Sequence, residues 1–345
     1  MDNIRNGLLS FYEKKHSSDG DARIAHLAQI SDGWENEVYS FRIEQGEAEK
    51  QSREDLILRI YPGDGASEKA EKEFSGMKKL YELGFPVPEV LILELDDSYF
   101  GKPFVIMEKI DGRSMGKVME ESSEERRQEL GNLFCQMFVD LHALDWRPFA
   151  PDPSVYETGD PYTPIDEFLL IGQEYIDRFG MNEFAPIMDW LRERRLNVPC
   201  ERPSVIHLDY HPHNILLRED GKAFVIDWTN IGVADFRMDI AWTIVLTSNY
   251  GDPEVRQIIL DEYERLAGHR VEQIEYFEVM ASLRRLFSII VSINQGAEKM
   301  GMRPEAVTSM KQNVGHIRNV YTFMLDRTGI AIPEIETLIS TLSEV

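Results

Sequence analysis

The sequence predicts an α+β protein with two lobes, a small β-rich lobe that contains one helix and a larger lobe that is mostly helical. Two observations lead to this prediction. Up to residue 110, short runs alternate apolar and polar residues, as half-buried strands do, whereas beyond it apolar residues mostly recur at helical spacing. We therefore expect an N-terminal lobe at residues 1–110 and a C-terminal lobe at residues 111–345.

The elements of the first lobe can be placed one by one. Residues 67–83 carry an apolar face at helical spacing, and Gly84 followed by Pro86 ends that helix. Residues 44–54 are polar and contain a glycine, so they predict a hairpin loop between the first two strands. The strands predicted from alternation and apolar runs are 37–43, 55–61, 91–95 and 104–108.

The second lobe is predicted to be helical apart from one β-rich interruption. A proline-rich segment at 147–164 is expected to be a surface connection. The predicted helices are 123–144, 165–180, 183–197, 236–250, 253–267, 272–297, 303–327 and 333–343. The predicted strands of the interruption are 205–208, 215–217 and 223–227.

Composition excludes several classes of protein. With 43% hydrophobic and 10% aromatic residues the chain can bury a large core, so disorder is not its main state. No apolar stretch approaches the roughly 20 residues that a bilayer requires, so we expect no membrane span. The net charge of −24 argues against a nucleic-acid partner, because phosphate binding needs clustered cations. Two cysteines, both expected to be inert, and a first segment without an apolar signal core predict a cytoplasmic protein.

The most informative stretch is 205–242, where three polar residues follow predicted strands. One strand leads into a loop with Asp209 and, five residues on, Asn214, and the next hairpin ends at Asp227. Phosphoryl transfer needs one carboxylate to orient the attacking hydroxyl and two oxygen ligands for Mg²⁺ on the nucleotide phosphates. The spacing H-x-D-x-x-x-x-N followed by a strand-end aspartate matches the protein-kinase signature. We therefore predict Asp209 as the catalytic base and Asn214 and Asp227 as Mg²⁺ ligands.

The residues around this set resemble the aminoglycoside/macrolide phosphotransferase family. That family has a protein-kinase-like fold and includes choline kinase and homoserine kinase relatives. The resemblance extends in order over almost the whole chain. Its most specific motifs are His207-Leu208-Asp209-Tyr210-His211-Pro212-His213-Asn214, then Val225-Ile226-Asp227-Trp228, then Asp235 and Asp239-Ile240-Ala241.

The resemblance implies an ATP-dependent phosphotransferase, with GTP as the alternative nucleotide. The lobe at 1–110 would bind the nucleotide, and the lobe at 111–345 would carry the catalytic loop and bind a small hydroxyl-bearing acceptor. The nucleotide-binding residues implied in this way are Ser31 and Gly33 of the nucleotide loop, Arg59 as the phosphate-binding base, Glu73 as its helix partner, and Glu108 and Ile110 of the hinge.

Two further residues are interpreted as supporting the site rather than reacting. We expect His207 to pack beneath the catalytic loop and to bond with backbone groups. We expect Asp239 to stabilise the loop that follows Asp227.

Departures from the family pattern motivate a first alternative. Arg59 stands where lysine is usual, and the two side chains are not equivalent at a phosphate. Leu208 replaces a common glycine, and the nucleotide loop contains one glycine, Gly33. The alternative is a nucleotide-binding pseudokinase that keeps the fold without transferring phosphate.

A second alternative is a metal-dependent hydrolase. His207, Asp209, His211 and His213 are all side chains that can bind zinc. Pro212 separates two of the histidines, and no further His or Cys follows at ligand spacing, which disfavours this alternative.

The acceptor and the oligomeric state are left open by the sequence. The family phosphorylates aminoglycosides, macrolides, choline, homoserine and sugars, so an antibiotic and a metabolic acceptor both agree with the resemblance. The helices predicted at 272–297 and 303–327 are long enough to pack within one chain or between two copies. We expect a small-molecule partner, with no nucleic acid and no membrane.

Overall fold

The structure, a computed structural model of the chain, describes residues 1–15, 23–30, 36–45, 52–63, 65–249 and 253–343. The middle of the predicted hairpin loop, 46–51, lies outside the described residues. So does the predicted nucleotide loop with Ser31 and Gly33. In the part of the chain that is described, no helix is both long enough and apolar enough to cross a membrane.

Most strands precede residue 115 and most helices follow it, which confirms the predicted α+β class. Strands β1 to β10 are Arg23–Ile30, Glu37–Gln45, Ser52–Ile60, Val90–Glu94, Phe104–Glu108, Gly112–Ser114, Pro203–Ile206, Ile215–Arg218, Ala223–Val225 and Gly232–Asp235. Helices α1 to α13 are Asp2–Lys15, Ala66–Glu82, Met115–Glu120, Glu124–His142, Ser154–Glu157, Thr163–Phe179, Ala185–Arg194, Phe236–Ser248, Val255–Ala267, Ile274–Gln295, Ala306–Gln312, Val314–Thr328 and Pro333–Ser343.

The chain divides into two compact units. Unit 1 consists of Met1–Arg113, Ile215–Thr229 and Gly301–Arg303. Unit 2 consists of Ser114–Asn214, Asn230–Met300 and Pro304–Val345. Unit 1 thus extends three residues beyond the boundary expected at residue 110 and includes the hairpin β8–β9. The expected division of function between two lobes stays a prediction.

A five-stranded antiparallel sheet in the order β1-β2-β3-β5-β4 forms the centre of unit 1. The middle strand, β3, is paired along its length, and its Arg59 lies between Val38 of β2 and Val105 of β5. Helix α2 agrees with the prediction for 67–83, and it ends where Gly84 adopts a left-handed φ of 79°. The middle strand therefore presents Arg59 from a fixed backbone.

The sequence patterns did not predict α1 or β1. Strand β1 is mostly exposed, so its apolar alternation is weak. Helix α1 owes its place to tertiary packing, because Leu8 and Phe11 share one buried cluster with Phe41, Leu58 and Phe104. The rings of Phe11 and Phe104 meet edge to face with centroids 5.2 Å apart.

Unit 2 is built around the buried helix α8, which packs on α9, α10 and the strand β7. Helix α4 packs on α9 and β7 as well. Strand β7 pairs antiparallel with β10, from Ile206 opposite Gly232 to Pro203 opposite Asp235. This two-stranded ribbon places the start of the predicted catalytic loop directly after Ile206.

The structure of unit 2 departs from the sequence predictions in several places. The helix predicted at 303–327 is two helices, α11 and α12, because Asn313 leaves the helical conformation with φ −100° and ψ 46°. Strand β10 was not predicted, since its four residues are too short to show a period. The strand predicted at 205–208 ends at Ile206, because Leu208 adopts a left-handed φ of 56°.

Gly7 offers a test of how α1 is held. A Cβ atom at this position would collide with the ring of Phe100 and lie 2.8 Å from the carbonyl oxygen of Tyr99. We expect Gly7→Ala to lower the free energy of unfolding by about 1–3 kcal/mol through overpacking, measured by urea denaturation. The control is Gly131→Ala in α4, where nothing lies within 4 Å and alanine should stabilise by about 0.5–1 kcal/mol. Stabilisation by both substitutions would contradict tight packing of α1.

Candidate functional site

Arg59 is the centre of a buried polar network in unit 1. Its side chain is 11% exposed. Its Nη1 lies 3.1 Å from Oε1 of Glu73, and its Nη2 lies 2.6 Å from Oδ1 of Asp227 and 2.7 Å from Oγ1 of Thr229. Burial alone would lower the pKa of Arg59, but the carboxylates of Asp227 and Glu73 raise it above its ordinary value. The guanidinium is therefore a permanent cation that joins β3, α2 and the segment after β9.

Glu73 is the buried acidic partner in this network. Its side chain is fully buried in α2, and its Oε2 accepts a hydrogen bond of 2.7 Å from the hydroxyl of Tyr61. The backbone N–H of Trp228 also donates to this carboxylate. Burial raises the pKa of Glu73 above its ordinary value, although Arg59 opposes that rise. The structure thus brings Arg59 and Glu73 together, as the resemblance implied for this pair.

Asp227 is held by the backbone around it. Strand β9 ends at Val225, two residues earlier than predicted, because Asp227 adopts a left-handed φ of 66°. The buried indole of Trp228 donates from Nε1 to the carbonyl oxygen of Val225 at 2.9 Å. The ring of Phe85 packs edge to face on the same indole. The Asp227 side chain remains 39% exposed, so a rigid turn presents a carboxylate that a ligand can reach.

The predicted hinge follows β5 in unit 1. The backbone N–H of Glu108 donates to the carbonyl oxygen of Glu89 at 2.8 Å, and that of Lys109 donates to Asp55 at 3.2 Å. The N–H of Glu108 is therefore engaged, so this residue can offer a purine its carbonyl oxygen. Within the described ranges, no hydrogen bond involves the backbone N–H of Ile110, which is a buried residue. The role of Ile110 as a hydrogen-bond donor to a nucleotide stays a prediction.

The predicted catalytic loop lies wholly in unit 2 and brings Asp209 and Asn214 together. The side-chain Nδ2 of Asn214 donates to Oδ2 of Asp209 at 3.0 Å and to its carbonyl oxygen at 2.9 Å. His207 is fully buried, and its Nδ1 accepts from the backbone N–H of Asp209 at 3.1 Å. The loop therefore folds back on itself around the Asp209 carboxylate, with His207 beneath it.

Asp239 supports a different loop from the one expected. We predicted that it stabilises the loop after Asp227, and this is wrong. Its buried carboxylate instead accepts from the backbone N–H groups of His207 at 2.6 Å and Leu208 at 2.7 Å. Nε2 of the buried His142 lies 3.3 Å from the same carboxylate. The sequence analysis gave His142 no role and missed this contact.

The backbone conformation of Leu208 explains why the two hydrogen bonds accepted by Asp239 are needed. Its φ of 56° belongs to the left-handed region that glycine adopts easily and leucine avoids. The two hydrogen bonds that Asp239 accepts hold the backbone in this conformation. The departure from the common glycine is thus a strained residue fixed by a buried carboxylate.

The donor atoms fit Mg²⁺ better than zinc. Because Nδ2 of Asn214 is held by Asp209, its amide oxygen faces away from that residue, and amide and carboxylate oxygens are the ligands that Mg²⁺ prefers. Asn214 lies in unit 2 and Asp227 in unit 1, so their joint role stays a prediction. No group of three His, Cys, Asp or Glu side chains that could hold a metal ion lies among the described residues. The histidines proposed for a zinc hydrolase therefore form no such cluster there.

Comparison with known proteins places the chain among phosphotransferases. The model of the phosphotransferase enzyme family matches residues 26–274. Mouse acyl-CoA dehydrogenase family member 10 is 24% identical over 313 residues, which cover 84% of this chain but only 28% of the mouse protein. The chain thus spans little more than a quarter of that relative's length.

Two solved structures are similar in fold. Aminoglycoside phosphotransferase APH(4)-Ia has a TM-score of 0.55 at 17% identity, covering 88% of this chain and 98% of that one. LicA in complex with AMP has a TM-score of 0.57 at 15% identity, covering 92% and 99%. At these identities the likeness is one of fold.

The contacts of Arg59 predict that its substitution lowers the free energy of unfolding much more than substitution of another arginine in the same sheet. We expect Arg59→Met to lower the free energy of unfolding by about 3–5 kcal/mol, because Glu73 would keep a buried charge without its cation. Arg42 of β2 pairs with Asp55 in two hydrogen bonds at the surface, so Arg42→Met should cost much less. Urea denaturation of both variants measures the difference. Equal losses would show that Glu73 does not depend on Arg59.

The strain at Leu208 predicts a reversal of the usual preference for alanine over glycine. We expect Leu208→Gly to be more stable than Leu208→Ala by about 1–2 kcal/mol, because alanine retains the left-handed penalty. At Leu217 in β8 the order should be the opposite, with glycine less stable by about 0.5–1 kcal/mol. Urea denaturation of the four variants gives both differences. Alanine being preferred at both positions would contradict strain at Leu208.

Proposed function

Because the chain belongs to the phosphotransferase enzyme family, we propose that it transfers the γ-phosphate of ATP to a hydroxyl group of a small molecule. The observation that supports this most directly is the buried cation Arg59, held against Glu73 and Asp227. A fixed cation beside a reachable carboxylate suits a polyphosphate and its metal ion. The contact between Asp209 and Asn214 supports the second half of the proposal, a loop built to orient an attacking hydroxyl.

Each residue then has a physical task. Arg59 binds nucleotide phosphate oxygens through its planar guanidinium, which matches phosphate geometry. Asn214 and Asp227 would hold Mg²⁺, which supplies neutralisation of the phosphate charge. Asp209 orients the acceptor hydroxyl and takes its proton, and Asn214 fixes the rotamer of that carboxylate. Catalysis of this kind rests on positioning and charge, with no covalent step on the protein.

The hinge favours ATP over GTP in this proposal. Adenine offers an amino group to the carbonyl oxygen of Glu108 and a ring nitrogen to the N–H of Ile110. Guanine would turn its own carbonyl oxygen toward that of Glu108, and two acceptors repel each other. The engaged N–H of Glu108 cannot relieve this repulsion, because it already donates to Glu89.

The acceptor is proposed at the level of a hydroxyl-bearing small molecule. The net charge of −24 attracts cationic acceptors such as aminoglycosides and amino alcohols. The acyl-CoA dehydrogenase name of the mouse relative adds hydroxylated acyl thioesters to the compounds worth testing. A panel of these three classes, assayed by ADP release, identifies the acceptor class.

The proposal is tested by thermal melting with Mg²⁺ and a non-hydrolysable ATP analogue, followed by turnover with the acceptor panel. At about 100 times Kd the analogue should stabilise the wild type by about 2.7 kcal/mol, which moves the midpoint by a few degrees. Asp227→Asn should lose this shift. Asp209→Asn should keep it and lower turnover by about 10²–10⁴-fold, the usual contribution of a general base.

Asp220→Asn is the matched control. Asp220 lies in the turn of the hairpin β8–β9, which Asp227 follows, and forms a surface ion pair with Arg218, so its variant should behave as the wild type in both assays. The absence of a shift with both ATP and GTP analogues would remove the kinase proposal. A shift without turnover on any acceptor would favour the pseudokinase instead.

A further inference from the structure

Thr229 takes part in the Arg59 network, although the sequence analysis gave it no role. Its Oγ1 accepts a hydrogen bond of 2.7 Å from Nη2 of Arg59. The same hydroxyl lies 3.1 Å from Oδ1 of Asp227 and 3.5 Å from Oε2 of Glu73. One hydroxyl thus touches the cation and both of its carboxylate partners, all within unit 1.

We propose that Thr229 is a positioning residue that fixes the guanidinium of Arg59 against the carboxylate of Asp227. This inference rests on the proposed function. It goes beyond it by assigning a task to a residue that neither the motifs nor the comparisons single out.

The chemistry of a hydroxyl suits this position. A hydroxyl can accept from a guanidinium and donate to a carboxylate at the same time. A planar guanidinium also needs its rotation about the long side chain to be fixed before it can present a defined edge to phosphate. With Nη1 on Glu73 and Nη2 on both Asp227 and Thr229, the plane of Arg59 is defined by contacts on two sides.

Thr229 also affects the orientation of the Asp227 carboxylate. Arg59 and Thr229 both contact the same oxygen, Oδ1, so together they set the rotation of this carboxylate about its last bond. The left-handed φ of Asp227 already fixes the direction in which the side chain leaves the backbone. Thr229 therefore influences how the Asp227 carboxylate is oriented toward a bound cation. Removal of the Thr229 hydroxyl should weaken the binding of Mg²⁺-ADP more than the binding of ADP alone.

Calorimetric titration of ADP, with and without Mg²⁺ and without any acceptor, tests this inference. Thr229→Val preserves shape and removes the hydroxyl, and it should weaken Mg²⁺-ADP binding by about tenfold, the effect of one hydrogen bond to a charged group. The affinity for metal-free ADP should fall by less than about threefold. The smaller effect is expected because the orientation of the Asp227 carboxylate matters for a bound cation. Thr229→Ser keeps the hydroxyl and should restore Mg²⁺-ADP affinity to nearly the wild-type value.

Thr247→Val is the matched control. Thr247 is half-buried in α8, and its hydroxyl bonds to the carbonyl oxygen of Thr243, with no carboxylate or guanidinium partner in the hydrogen bonds of the described chain. This variant should bind Mg²⁺-ADP as the wild type does. Equal affinities for the wild type and Thr229→Val, or equal weakening by Thr229→Val and Thr229→Ser, would overturn the inference.

A double-mutant cycle separates this inference from the proposed function. Thr229→Val, Arg59→Lys and the double variant are unfolded in urea without nucleotide, and the effect of Thr229→Val should be much smaller when Arg59 is already lysine. Additive effects would overturn the positioning contact. Failure of the wild type to bind Mg²⁺-ADP would overturn the proposed function, whereas the coupling in urea would still decide whether Thr229 positions Arg59.

Discussion

A single buried ion pair, between Arg59 and Glu73, constrains the rest of unit 1. A fully buried carboxylate loses its hydration and needs compensating partners to stay charged, and burial raises the pKa of Glu73 although the Arg59 cation opposes that rise. This requirement ties the middle strand β3 to α2, and the same guanidinium ties both to Asp227. The exposed carboxylate of Asp227 is therefore held in place by the same cation that compensates the buried carboxylate of Glu73.

In unit 2, a buried carboxylate is compensated by backbone hydrogen bonds. Asp239 is fully buried, and its two oxygens accept from consecutive backbone N–H groups, those of His207 and Leu208. These bonds offset the loss of hydration, and they also hold a strained backbone just before Asp209. In both units, a buried acid fixes the residue that the proposed chemistry uses.

Much of this arrangement could be predicted from the sequence, and the missing parts share one physical cause. Helix α2 and the central strands follow from periodicity, and the pairing of Arg59 with Glu73 follows from the family resemblance. The roles of Thr229 and Asp239 depend on which distant backbone groups lie nearby, and no local pattern encodes that. Helix α1 was missed for the same reason, because its helical state is stabilised by packing against Phe104 rather than by strong amphipathicity.

The two departures that suggested a pseudokinase each have a local compensation. Arginine in place of lysine is accompanied by Thr229, whose hydroxyl gives Nη2 a further partner. Leucine in place of glycine is accompanied by the two hydrogen bonds that Asp239 accepts. These compensations hold a strained backbone next to Asp209 and an ordered guanidinium beside Asp227, the two carboxylates that the proposed reaction uses. The departures are thus better understood as changes in how the site is supported, which leaves phosphoryl transfer as the function that the residues favour.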